Sequence, residues 1–140
     1  MKKIKTKNIV VSGKRKTAIA KATIKPGTGK VTINKKSLSC FNQFQQLALK
    51  EPFILARKTL KDQLKTVDIL VNVRGSGAES QVEASRLAIA RAIIAYFKKA
   101  ELRKTFLAYD RGLLVADTRR KEACKPNDSK ARAKRQKSYR

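Results

Sequence analysis

The hydrophobic positions of this chain follow two periods in turn. Ala18, Ala20, Ala22 and Ile24 occupy every second position, with Ile19, Lys21, Thr23 and Lys25 between them. That is the signature of a strand with one buried face. Pro26-Gly27-Thr28-Gly29 then supplies turn residues, and Val31 and Ile33 alternate again, so the pattern predicts a β-hairpin. Residues 41–50 are mixed and read as a loop leading into a short helix. Pro52 suits the first turn of a helix, where its missing N–H is no loss. Phe53, Ala56, Leu60 and Leu64 follow at spacings of three and four, which predicts an amphipathic helix over 53–65. Val67, Ile69, Val71 and Val73 return to period two as a core strand.

That strand ends in Arg74-Gly75-Ser76-Gly77-Ala78. Ser76-x-x-Glu79 and Ser80-x-x-Glu83 both have capping-box spacing, so a helix should start within 76–81 and run to about Lys99. Val82, Ile89, Ile93 and Phe97 mark its buried side, and Ala88, Ala92 and Ala95 would let it lie close to a sheet. A shorter helix is expected over 101–108, and Leu113 to Asp117 reads as a last strand. Beyond Asp117 no apolar period survives: residues 119–140 hold ten Lys or Arg, with Glu122 and Asp128 as acids. Such a segment cannot bury enough surface to offset its ordering entropy and should be extended unless bound. Residues 1–16 are also basic and free of acids, and read as a flexible or RNA-ordered arm. The expected organisation is an α/β (α+β) core domain over 1–118, arm included, with a basic tail over 119–140 and no internal repeat.

Charge decides what such a domain can bind. The chain has 35 Lys plus Arg against 10 Asp plus Glu, a formal net charge of +25 over 140 residues. A surface of that kind is best neutralised by a polyanion. Nucleic acid is the natural candidate, because each phosphate contacted releases condensed counterions. A membrane surface would favour a basic amphipathic helix with an aromatic apolar face, and the most basic stretch here has no apolar face. No run approaches the roughly 18 apolar residues of a membrane span. Ile9-Val10-Val11 is too short for the core of a signal peptide, which points to a cytoplasmic protein. With no His, acid–base catalysis lacks its commonest residue, and Cys40 and Cys124 cannot build a four-ligand zinc site. No metal, cofactor or catalytic residue is expected.

Three segments carry candidate chemistry. Gly75-Ser76-Gly77-Ala78-Glu79-Ser80 sits where dinucleotide folds place G-x-G-x-x-G, but its sixth position is Ser, and no acid ends a following strand. Glycines for a tight turn and close packing explain it better, with backbone N–H groups at the helix N-terminus free to hold an RNA phosphate. Gly13-Lys14-Arg15-Lys16-Thr17 lacks the first glycine of a P-loop and leads into a strand, so its cations are expected to meet phosphate directly. From Lys130 to Arg140 the tail alternates cations with small residues, which suits threading through RNA, and Tyr139 can stack on a base. Composition alone leaves a nonspecific nucleic-acid binder open, and an enzyme using the glycine turn for a nucleotide phosphate is the remotest alternative.

Four stretches in order resemble the universal ribosomal protein S-nine family of the small subunit. They are Ser12 to Ala20, Gly27 to Asn34, Arg74 to Ser85 with its Gly-x-Gly-x-x-x-Gln-x-x-x-Ser spacing, and the closing Arg135-Gln-Lys-Ser-Tyr-Arg140. The ending is similar to the archaeal and eukaryotic branch. Two departures stand out: Ser76 replaces the middle of three glycines, and Cys124 to Ser129 replaces a glycine-rich spacer. The resemblance implies a two-layer sandwich like the second domain of ribosomal protein S-five, with helices packed on a four-stranded sheet. It also implies a place in the small-subunit head on 16S-type rRNA, beside neighbouring head proteins. Lys14, Arg15, Lys16, Arg132, Lys134 and Arg135 would contact rRNA. Lys137, Ser138, Tyr139 and Arg140 would lie nearest the anticodon stem-loop of the peptidyl-site tRNA.

Overall fold

The computed structural model describes residues 8–124 together with Ala131 and Tyr139. Its strands are β1 (Ile9–Arg15), β2 (Ala18–Pro26), β3 (Val31–Ile33), β4 (Lys36–Ser37) and β5 (Val67–Arg74), and its α-helices are α1 (Gln43–Leu60), α2 (Ala78–Phe97) and α3 (Ala100–Tyr109). The sheet runs in the order β1-β2-β5-β3-β4. All neighbours are antiparallel except β3 and β5, which run parallel. A parallel pair needs a crossover, and α1 supplies it.

The strand pattern of 18–33 is present, but not as a hairpin. β5 lies between β2 and β3, which therefore do not pair. Asp68, near the start of β5, explains how the Pro-Gly-Thr-Gly loop spans that gap. Its carboxylate accepts from the backbone N–H groups of Thr28 (2.8 Å) and Lys30 (2.9 Å), and the Gly27 N–H donates to the Thr66 carbonyl (2.8 Å). The amides of Lys30 and then Thr28 hold the Asp68 carboxyl below its usual range. The loop hooks over the end of β5 instead of turning back on β2.

Two further expectations are corrected at the sheet's edges. Residues 9–15 are not a loose arm: they form β1, paired with β2 from Ile9↔Ile24 to Arg15↔Ala18. With β1 and the two-residue β4, the sheet has five strands rather than four. Leu113 to Asp117 is not a strand. Residues Arg111–Leu113 make a 3-10 turn that buries Leu113, and the chain then runs on without regular structure. The Arg91 guanidinium donates to the Leu114 carbonyl (2.9 Å) and to the Ser12 carbonyl (3.0 Å). A side chain thus takes carbonyls that a strand ladder would use.

α1 begins ten residues before the expected start at Phe53. Asn42 and Gln45 form its capping box, and Pro52 lies within the helix, buried. An interior proline costs a helix about 3 kcal/mol. Burial of Leu49, Pro52, Leu55, Ala56 and Leu60 on the core side is what offsets it here. The helix ends at Leu60, so Leu64 falls in a 3-10 run over Lys61–Thr66. α2 starts within the expected range, but its N-cap is Gly77, with no side-chain cap from Ser76 or Ser80.

The core lies on one side of the sheet. Val82, Ile89 and Ile93 of α2 pack with Ala18, Ala20, Ala22, Ile24 and the four valine and isoleucine positions of β5, while Phe97 is half-buried at the margin. α2 lies across β1, β2 and β5, with α1 beside it and α3 against α1. Small residues set the spacing: Ala84, Ala88 and Ala92 are fully buried. A Cβ on Gly13 would stand 2.3 Å from the Ala84 carbonyl oxygen and 2.7 Å from the Ala88 nitrogen. Helix backbone cannot step aside as a flexible side chain can. Gly13→Ala is therefore expected to lower stability by about 1–3 kcal/mol through overpacking, read as a fall in the denaturant midpoint. A midpoint unchanged from the wild type would contradict so close an approach.

Candidate nucleic-acid interface

Among the described residues no helix covers the second face of the sheet. Residues opposite one another in antiparallel strands share a face, so the register sets out what this face displays. Lys14, Ile19 and Arg74 form one row across β1, β2 and β5, and Ser12, Lys21 and Asn72 form the next. Lys14, Lys21 and Arg74 are exposed, and with Lys25 they outnumber the face's one acid, Asp68, which the Thr28 and Lys30 amides already hold. Period-two alternation separates this face from the core along β2 and β5, and of its residues only Lys14, in the Lys14-Arg15-Lys16 run, stands out in the sequence for binding. Lys21 and Arg74 became visible as partners of Lys14 once the register was known.

The row containing Lys14 and Arg74 lies at the end of the sheet where two turns meet. Lys16, exposed and at φ +50°, makes the β1–β2 turn with Thr17. Gly75 and Ser76 follow β5 at φ +86° and +56°, in the left-handed region where Gly is favoured. A Cβ on Gly75 would sit 2.5 Å from the Thr17 carbonyl oxygen, so this glycine lets the two turns touch. Ser76 carries its Cβ at positive φ, as the departure from three glycines required. The Gly-x-Gly-x-x-x-Gln-x-x-x-Ser spacing has a local cause as well. Gln81 Nε2 donates to the Gly75 carbonyl (3.1 Å), and the buried Ser85 hydroxyl donates to the Gln81 carbonyl (2.7 Å). A Cβ at Gly77 would meet nothing within 4 Å, so packing inside the chain does not call for that glycine.

Arg15 behaves differently from its neighbours. Its Nε lies 2.5 Å from the Glu83 carboxylate on α2, and its Nη1 pairs with Asp117 at the root of the tail. Asp117 also receives Arg119 through the backbone N–H (2.9 Å) and the guanidinium (2.7 Å from Nη2). Arg119, followed by Arg15, holds the Asp117 carboxyl well below the usual carboxylate range. Leu113 in the core, Arg91 on the Leu114 carbonyl and Arg15 on Asp117 thus fix where the chain leaves the domain. From Thr118 to Cys124 it is exposed and without regular structure. Tyr139 is 87% exposed. Arg132, Lys134, Arg135, Lys137, Ser138 and Arg140 lie outside the described residues.

Among the described residues no cluster of His, Cys, Asp or Glu could hold a metal ion, both cysteines are free and exposed, and no helix is long and apolar enough to cross a membrane. A family model described as ribosomal protein S9/S16 matches residues 13–140. The chain belongs to that family. The family is one of structural, non-enzymatic ribosomal proteins. The chain is 49% identical over 131 residues to the small ribosomal subunit protein uS9 of Methanococcus maripaludis strain C5, a match covering 91% of this chain and 95% of that protein. It is 47% identical to the protein of the same name from Picrophilus torridus, over 94% of this chain and 97% of that one. The corresponding Desulfurococcus amylolyticus protein is also 47% identical, over 97% of this chain and 95% of its own length. These archaeal sources agree with the branch that the closing residues resemble.

The pairing at the tail root has a defined pH dependence. A carboxyl whose folded pKa is depressed contributes stability above its unfolded pKa, about 4 for Asp, and loses that contribution as pH falls towards the folded value. Thermal midpoints of wild type and Asp117→Asn should differ at pH 6–7 and converge as pH drops below about 4. A constant offset across that range would mean that the carboxylate charge is not what holds the root.

Proposed function

We propose that this protein is a structural constituent of the small ribosomal subunit head in the cytoplasm. In this reading it binds 16S-type rRNA and its C-terminal tail contacts the anticodon stem-loop of peptidyl-site tRNA during translation. The core, with its helices on one side of the sheet, is the two-layer sandwich of the second domain of ribosomal protein S-five. Residues 119–140 act as a separate extended arm.

The supporting observation is that the exposed cations and the tail root meet at one end of the domain. Lys14, Lys16 and Arg74 stand exposed there, and the brace of Arg15 on Asp117 starts the tail from the same edge. Phosphate contacts position a protein on RNA without reading sequence. Lys14 and Lys16 take that role directly, while Arg15 acts mainly by holding Asp117. The N–H groups that open α2 after Gly77 can face a phosphate beside them. In the tail, Arg132, Lys134 and Arg135 continue along rRNA. Lys137, Ser138, Tyr139 and Arg140 reach the tRNA, with Tyr139 able to stack on a base.

Two experiments separate the parts of this proposal. Replacing Lys14, Lys21 and Arg74 by Gln should leave the thermal midpoint nearly unchanged. It should also reduce the slope of log affinity for small-subunit rRNA against log salt by about 1 for each phosphate that is no longer neutralised. An unaltered slope would remove the open face from the interface. Deleting Ser138–Arg140 should leave the core folded and the protein in small subunits, but weaken tRNA holding in the peptidyl site. Equal tRNA affinity in truncated and intact ribosomes would sink the tail assignment.

A further inference from the structure

α1 is apolar on two sides. One side faces the core, and amphipathicity predicts a polar surface opposite it. Instead Phe44, Leu47 and Ile54 stand 79%, 56% and 55% exposed. Their spacings of three and seven place them in one stripe along the helix. Tyr109, at the end of α3, stands near the same stripe and is 58% exposed. Together they border an open groove of about 700 Å³ whose lining includes the buried Leu55 and Val82. Clustered large apolar side chains on a soluble surface mark a binding face.

The charge of this groove sets it apart from the rest of the molecule. Cations outnumber acids 35 to 10 over the chain. Here the lining sets Glu51, Glu79 and Glu83 against Lys58 and Arg86, with Arg15 on Glu83 from the side of β1, so the groove carries no excess of cations. The carboxylates are fixed in place: Glu51 lies 2.5 Å from Arg86 Nε, Arg86 Nη2 lies 3.0 Å from Asp110, and Glu79 accepts from Gln45 Nε2 at 2.8 Å. Glu51 beside it pushes the Tyr109 hydroxyl above its usual pKa. A phosphate backbone would meet these carboxylates at close range, so RNA is the wrong occupant. A second copy would bring another +25 surface against this one, which like-charge repulsion opposes. A protein segment that places an apolar side chain among Phe44, Leu47 and Ile54, with Lys or Arg against the glutamates, satisfies both constraints. Aromatic anchors within a rim of opposite charge are how such segments are held.

We infer that the groove between α1 and α2, bordered by Tyr109 of α3, docks a neighbouring ribosomal protein through an apolar segment flanked by Lys or Arg. The inference rests on the ribosomal reading and gives the domain a protein-facing side distinct from its RNA-facing side. To test it, a photo-crosslinking amino acid replaces Phe44 in the full-length protein, and small subunits carrying it are purified and irradiated. The expected adduct joins this position to a peptide of another ribosomal protein, with Lys or Arg beside the linked apolar residue. An adduct to rRNA, to a second copy or to nothing overturns the inference. A second arm uses Phe44→Glu with Leu47→Glu, both at exposed positions. This variant should bind purified rRNA with wild-type affinity and salt slope, while one neighbouring protein falls several-fold in the assembled subunits. Wild-type levels of every neighbour would overturn the inference. Absence of the wild-type protein from small subunits would instead defeat the ribosomal reading on which it stands.

Discussion

The backbone contact between α2 and β1 is the constraint on which the rest of this structure depends. Gly13 lies beneath Ala84 and Ala88, closer than any Cβ would allow. Fully buried alanines continue that contact along β2 and α2. At such a separation the helix covers three strands, and α1 then packs beside it on the same side of the sheet. The opposite face receives no helix from the described chain. A one-sided sheet is ordinarily a soluble surface with alternating polar residues. In this chain Lys14, Lys21, Lys25 and Arg74 stand among those alternating residues against one acid, Asp68, so the packing that builds the core also leaves a basic face.

Acids and cations have separate roles in this arrangement. Asp68 gathers the amides of the loop across β5, Asp117 ties the tail root to Arg15 and Arg119, and Glu51 sets Arg86 beside α3. Each of these carboxylates makes an internal contact that shapes a turn, a root or a wall. Few remain to offset the lysines on the open face. Among the described residues Lys14, Lys21 and Arg74 are therefore displayed outward on the open face.

Elements were legible in the sequence where one periodic face met one partner. β5 and α3 each have a single buried side, whereas α2, buried over most of its circumference, was marked by its capping-box spacing and its run of Ala and Ile. The hairpin failed for a nonlocal reason: alternation describes strands but not which strand lies between them, and the insertion of β5 depends on Asp68, forty residues from the loop it holds. β1 was hidden because its buried position in mid-strand is a glycine. The early start of α1 was signalled by Asn42-x-x-Gln45, but Pro52 obscured it, since tertiary burial outweighed a local penalty. Of the interface, exposed cations beside turns could be read directly. Lys21 and Arg74 needed the register, and the apolar stripe from Phe44 to Ile54 needed to be seen uncovered.

Lys14, Arg15 and Lys16 mark the limit of what charge alone conveys. As adjacent cations they look equivalent, and each is an equally good partner for phosphate. Strand alternation separates Arg15 from Lys14 by sending them to opposite faces, and Lys16 turns the corner at positive φ. Arg15 is thereby brought against Glu83 and Asp117, and its forked guanidinium can bridge the two carboxylates at once. A lysine at that position would offer a single point charge and could not span both in the same way. The tail's starting point thus depends on which face of β1 an arginine occupies, a consequence of strand geometry more than of the cation count.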